Sequence, residues 1–177
     1  MKTIYPDTQN ILRTNMKLDG RKIQKAHKYF GRNSVGVGVF TQSFQETQKL
    51  GRELVKNLIP GQVICLSGNL GSGKTTFVQG LLRGLKVKGP YTSPTFVIMK
   101  QYKSKAESQK LKAIYHIDAY RVKEKDILSL GWEEIIMQPG NLVIVEWAER
   151  IKKIIPANAQ WINFYWEEKE KRKIVFK

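Results

Sequence analysis

Residues 68–75 read Gly-Asn-Leu-Gly-Ser-Gly-Lys-Thr, a G-x-x-x-x-G-K-[ST] spacing that few folds can accommodate. Immediately before it lies Val63-Ile64-Cys65-Leu66, a continuous apolar run of strand length. Such a run suits a central strand covered on both faces. After the loop, Phe77, Val78, Leu81, Leu82 and Leu85 recur at helical spacing, which predicts a helix from Lys74 to about Leu85. Gly68, Gly71 and Gly73 permit backbone conformations and close approaches that a side chain would block. Successive N–H groups can then converge on an anion, aided by the positive end of the helix. The pattern predicts a site for ATP with Mg2+ formed by Gly68, Asn69, Leu70, Gly71, Ser72, Gly73, Lys74, Thr75 and Thr76. Lys74 suits the β- and γ-phosphates, the Thr75 hydroxyl suits magnesium, and Thr76 is placed to donate to the α-phosphate.

The rest of the chain alternates in a way that fits an α/β fold with a mixed central sheet, flanked by helices and extended by antiparallel strands. Ser43 followed by Glu46 matches a capping box at the start of a helix running to about Leu58. Pro60-Gly61 turns the chain into the first apolar strand. Thr95–Tyr102 and Leu111–Tyr120 read as an antiparallel pair around a polar stretch from Lys103 to Lys110. A helix is expected around Asp126–Ile136, then Leu142–Val145 as a second fully apolar strand ending at Glu146. A short helix near Ala148–Ile154 precedes two final antiparallel strands, Trp161–Glu167 and Lys173–Phe176. The folded domain is expected over 41–177.

Residues 1–40 differ in composition: Lys2, Arg13, Lys17, Arg21, Lys22, Lys25, Lys28 and Arg32 are opposed by Asp7 and Asp19 alone. They are expected to form a poorly packed basic extension, with a short helix around residues 19–30 and a strand at Val35–Phe40 joining the sheet. The whole chain carries a net charge of +16, which suits either contact with a nucleic acid or an acidic protein surface. No RNA-reading aromatic motif accompanies that charge. No apolar run approaches the ~18 residues of a membrane span, and the single Cys65 sits in a core-type strand. A soluble protein of a reducing compartment is expected.

Three further groups carry chemistry. Glu146, at the end of an apolar strand, is the candidate magnesium carboxylate, although the broad class usually ends this strand in Asp. Trp147 beside it packs over the site, serves as a contact for a partner, or belongs to the core. In Tyr115-His116-Ile117-Asp118-Ala119-Tyr120-Arg121, strand alternation puts His116, Asp118 and Tyr120 on one face. Either that face is an exposed edge, or Asp118 orders an attacking or metal-bound water while Arg121 pairs with an acidic group or steadies a phosphate. Finally, Pro94 holds Ser93 extended, and Thr95 is either a γ-phosphate sensor or part of a plain turn.

Taken in order, GNLGSGKT, SPTF, HIDAYR and VEW resemble the motifs of the bacterial TsaE (YjeE) family, over about Thr41 to Lys177. The resemblance implies a slow, partner-stimulated ATP hydrolase acting with TsaD- and TsaB-like proteins to form threonylcarbamoyladenosine in tRNA. It implies that Thr75 and Glu146 hold magnesium, that Asp118, Lys74, Thr95 and Trp147 serve hydrolysis, and that Ser43 lies near the adenine. Two other functions share the loop: a nucleotide-gated assembly module with little hydrolysis, and a small-molecule kinase. The Lys103–Lys112 stretch lacks the arginines of a kinase lid.

Overall fold

The structure, a computed structural model, describes residues 37–103 and 111–177. The helix expected around residues 19–30 and most of the 103–110 stretch lie outside the described residues. Seven strands form one sheet in the order β1-β7-β6-β2-β5-β4-β3. They are β1 Val37–Thr41, β2 Val63–Ser67, β3 Met99–Tyr102, β4 Ala113–Asp118, β5 Asn141–Glu146, β6 Gln160–Glu168 and β7 Lys171–Phe176. β2 runs parallel to β5 and β6, and β4 parallel to β5. The remaining pairs, β1–β7, β6–β7 and β3–β4, are antiparallel. The mixed sheet is therefore a parallel centre with antiparallel margins.

Alternation along the apolar strands divides the core in two. Ile64 and Leu66 of β2, with Ile114, Leu142, Ile144, Ile162 and Ile174, pack against helices α1 Phe44–Leu54 and α2 Lys74–Gly84. Val63 and Cys65, with Ile117, Val143 and Val145, face the opposite layer. That layer holds α3 Glu124–Leu128, α4 Trp132–Met137 and the 3-10 segment Ala148–Ile154. The two continuous apolar strands are thus buried on both faces, as strands covered by helices on each side require. α1 and α2 touch closely: an ideal Cβ on Gly80 would lie 1.9 Å from the Gln48 carbonyl oxygen.

Several expected elements are shorter than their apolar patterns. The first helix ends at Leu54 and tightens into a 3-10 turn at Val55–Asn57. Its N-cap Ser43 accepts from the Glu46 N–H, but the reciprocal Glu46 bond goes to the N–H of Gln42, one residue earlier. The helix expected over Asp126–Ile136 is two short helices, because Gly131 adopts φ +79° between them. β3 begins only at Met99; Thr95–Ile98 instead form a turn closed by Val97 N–H to the Pro94 carbonyl. β4 stops at Asp118, so Tyr120 lies beyond the strand face it was expected to share. Among the described residues, no helix is long and apolar enough to cross a membrane.

Cys65 is a free thiol with no exposure, and burial, with a smaller effect of Glu149, pushes it up to about 12. Because the thiolate is the reacting species, native protein at about pH 8 should resist a maleimide that labels the urea-unfolded chain readily. Native labelling at the unfolded rate would show that β2 is not the covered central strand.

Candidate nucleotide-binding site

The parallel strands end together, and the loops leaving their C-terminal ends carry the polar residues singled out by sequence. In open α/β sheets this edge is where ligands bind. β2 leads into the glycine loop. Gly68 has φ +135°, and a Cβ there would lie 2.2 Å from the Phe164 carbonyl oxygen on neighbouring β6. Only glycine lets the loop leave the sheet so close to that strand. Gly73, at φ +101°, is the residue before α2, and its missing side chain leaves room for Arg172 of β7. Gly71 also has positive φ but faces open space. Leu70 at the loop tip is 78% exposed. Ser72 is fully buried, and its hydroxyl has no partner among the described residues.

Lys74 is 4% exposed and begins α2. Its ammonium donates to the carbonyls of Gly68 at 2.6 Å and Asn69 at 3.0 Å. It also lies 3.7 Å from the ring centre of Trp147, a cation–π distance. Burial lowers the Lys74 pKa from its ordinary value, while Glu146, Glu149 and Asp118 draw it back up. Additional negative charge in the loop would act in the same direction as those carboxylates. Trp147 adopts φ +60° directly after β5, which turns its ring toward Lys74 and against Tyr120, 4.8 Å between centroids. Trp147 is partly buried against the core layer of Val145 and Ile151, and its ring also lies beside the lysine of the loop.

Register explains the next cluster. His116, Asp118, Ile144 and Glu146 share the sheet face that bears α1 and α2, and Asp118 is paired with Glu146 across β4 and β5. Glu146, 1% exposed, accepts from the Thr75 hydroxyl at 2.6 Å and lies 2.8 Å from His116 Nε2 through its other oxygen. Thr75 occupies the first turn of α2, beside Lys74, and Thr76 follows it half-buried. Hard oxygen donors of this kind suit magnesium, which takes few protein ligands and completes its shell with phosphate and water. The residues present therefore fit that ion.

Asp118 holds a second cluster. One carboxyl oxygen accepts from Ser93 at 2.7 Å and Thr95 at 2.5 Å, and the two hydroxyls lie 2.9 Å apart. The other oxygen accepts the Tyr120 N–H at 2.9 Å. These bonds explain why Thr95 is in a turn rather than a strand: Ser93 and Thr95 both bend toward the carboxyl group. Ile98 closes the turn at φ +63°, a conformation unusual for a β-branched residue. Phe96 is left 85% exposed, with Arg121 5.0 Å over its ring. Arg121 is thus on the surface.

Lys74, Thr75, Thr95, Asp118, Glu146 and Trp147 are brought to one edge by the fold. Ser43 is not joined to the loop directly; its hydroxyl is spent on the helix cap. Thr47 bonds the Ser43 carbonyl and places its methyl beside Gly73. The sequence reading left Ser93, the His116 bond to Glu146 and the place of Arg172 unassigned. Ser93 is flagged by its motif, whereas Arg172 depends on a hairpin register with no local signal.

A glycine loop between a buried parallel strand and a helix, with a carboxylate from the adjacent strand against the helix's first hydroxyl, defines a P-loop nucleotide-binding protein. The model of one family, Threonylcarbamoyl adenosine biosynthesis protein TsaE, matches residues 41–174, and the chain belongs to that family. A tRNA threonylcarbamoyladenosine biosynthesis protein TsaE from Nostoc sp. is 40% identical over 117 residues, spanning 64% of this chain and 68% of the relative. The Aquifex aeolicus protein of the same name is 43% identical over 116 residues, spanning 64% and 78%. The crystal structure of Bacillus subtilis YdiB superposes with a TM-score of 0.65 at 30% identity, covering 80% of this chain and 84% of that one.

Gly68 and Gly71 separate steric from conformational demands. Gly68→Ala adds both a backbone clash and positive-φ strain and should lower unfolding free energy by about 2–4 kcal/mol, with loss of nucleotide binding. Gly71→Ala adds only the strain, about 1–2 kcal/mol, and should retain binding. Urea denaturation with a fluorescent-nucleotide titration checks both; equal effects at the two positions would contradict the loop geometry.

Proposed function

We propose that this chain is a cytoplasmic ATPase of tRNA threonylcarbamoyladenosine biosynthesis, slow alone, whose ATP binding and hydrolysis let a TsaD–TsaB-type pair turn over repeatedly. The observation that carries the reading is the 2.6 Å contact between Thr75 and Glu146. It sets a magnesium-type oxygen pair beside the phosphate loop, in a chain whose named relatives act in that biosynthesis.

Gly68–Thr76 receive the triphosphate, with loop N–H groups and Lys74 facing its charge. Thr75 and Glu146 hold magnesium, which when bound neutralises charge on the phosphate oxygens. Asp118 orients the water that attacks the γ-phosphorus, and Thr95, bonded to Asp118, reports whether that phosphate is present. Trp147 covers Lys74 and limits solvent at the loop. The kinase alternative is not favoured by any contact at this edge. The +16 charge supports attraction to tRNA or to an acidic partner surface.

One observation favours gating within this same cycle. Thr95 is followed directly by the exposed Phe96 and Val97, so a change at Asp118 reaches an apolar surface within two residues. Affinity for the TsaD–TsaB pair should therefore differ between ATP, ADP and no nucleotide. Equal affinity in all three states would exclude a gate, since a ligand shifts only equilibria it binds unequally.

Lys74→Ala, Thr75→Ala and Glu146→Ala should each reduce TsaD–TsaB-stimulated ATP turnover by about 100-fold or more, with circular dichroism unchanged. Wild-type turnover by Glu146→Ala would remove the metal assignment, and the lack of any ATP turnover by wild-type protein with its partners would remove the proposed function.

A further inference from the structure

His116 stands in the site without a part in the chemistry described above. It is 1% exposed on β4, and its Nε2 lies 2.8 Å from Glu146 Oε1. Its Nδ1 is buried and has no partner among the described residues. An unpaired N–H in that position would cost more than an unpaired lone pair. The ring that suits its surroundings therefore carries its proton on Nε2 and donates it to Glu146.

The geometry of Glu146 gives that bond a consequence. The carboxyl group has two oxygens; Oε1 is taken by His116, and Oε2 is the one against Thr75. His116 sits on a different strand from Glu146 and is held by the β4–β5 register, in which His116 is opposite Ile144 and Asp118 opposite Glu146. A glutamate side chain has three rotatable torsions, and restricting them costs rotamer entropy. With Oε1 tied to the rigid sheet, that cost is met during folding rather than when a ligand arrives. Groups bonded to a metal ligand commonly raise metal affinity about 10–100-fold in this way.

We propose that His116 is a positioning residue that fixes Glu146 so that Oε2, beside Thr75, is presented to the magnesium of the bound nucleotide. This rests on the magnesium assignment given under the proposed function. His116 touches neither nucleotide nor metal. It acts only through the orientation of Glu146.

The test compares affinity for a fluorescent ADP analogue in excess magnesium and in EDTA, for four full-length proteins. Wild type should bind more tightly with magnesium. H116L should lose about tenfold or more of that magnesium-dependent gain, while its affinity in EDTA stays at the wild-type value. H116Q, whose amide nitrogen is as many bonds from the backbone as Nε2, should recover most of the gain. E146Q, tested in parallel, should lose it. A merely structural role would weaken binding equally with and without magnesium, and that result for H116L overturns the proposal, as does a full gain retained by H116L. If H116L fails to fold, H116Q decides: a folded H116Q without the gain also overturns it. A full gain in E146Q would instead remove the magnesium assignment itself, so the two failures are distinguishable.

Discussion

The carboxyl group of Glu146 ties together the three elements that make the site. It ends β5, accepts from Thr75 at the start of α2 and meets His116 from β4. Burying such a group is costly unless each oxygen is bonded, and here each oxygen has one partner from a different element. The loop from β2 to α2 and the β4–β5 pair are thereby locked against each other at the edge where the phosphates would lie. Lys74 completes the arrangement from the loop side, with two carbonyls and the Trp147 ring as its partners.

Asp118 does for the 93–98 turn what Glu146 does for the loop. Its carboxyl group gathers Ser93, Thr95 and the Tyr120 N–H, adding side-chain bonds to the backbone bonds that close the turn. β4–β5 pairing sets Asp118 beside Glu146. Two carboxyl groups on neighbouring strands thus govern two different segments: one the phosphate loop and helix, the other a turn that ends in exposed Phe96 and Val97. The hydrogen bonds of Asp118 thus join the end of β4 to an exposed apolar surface within a few residues.

The phosphate loop, its strand and its helix were readable because their signals are local: a fixed glycine spacing, a continuous apolar run and a helical period within about twenty-five residues. The division of the core followed from the same runs, since Ile64 and Cys65 must face opposite layers. Other features were not readable in advance. Thr95–Ile98 looked like strand because Thr, Phe, Val and Ile favour it, but two hydroxyl bonds to a residue more than twenty positions away outweighed that preference. The 126–136 helical period continued through Gly131, whose positive φ divides it. Arg172 meets Gly73 only because the β6–β7 hairpin carries it back over the loop, and no local pattern records that. That Glu146 ends a fully apolar strand was legible, whereas its contacts with Thr75 and His116 needed the strand order.

The pairing of Thr75 with Glu146 at the phosphate loop is tested most directly by electron paramagnetic resonance of Mn2+ added with ADP. Wild-type protein should show a bound Mn2+ signal that requires the nucleotide. Thr75→Val and Glu146→Leu should lose that signal while still binding ADP in EDTA. Undiminished nucleotide-dependent Mn2+ binding in both variants would contradict the metal site on which the proposed chemistry stands.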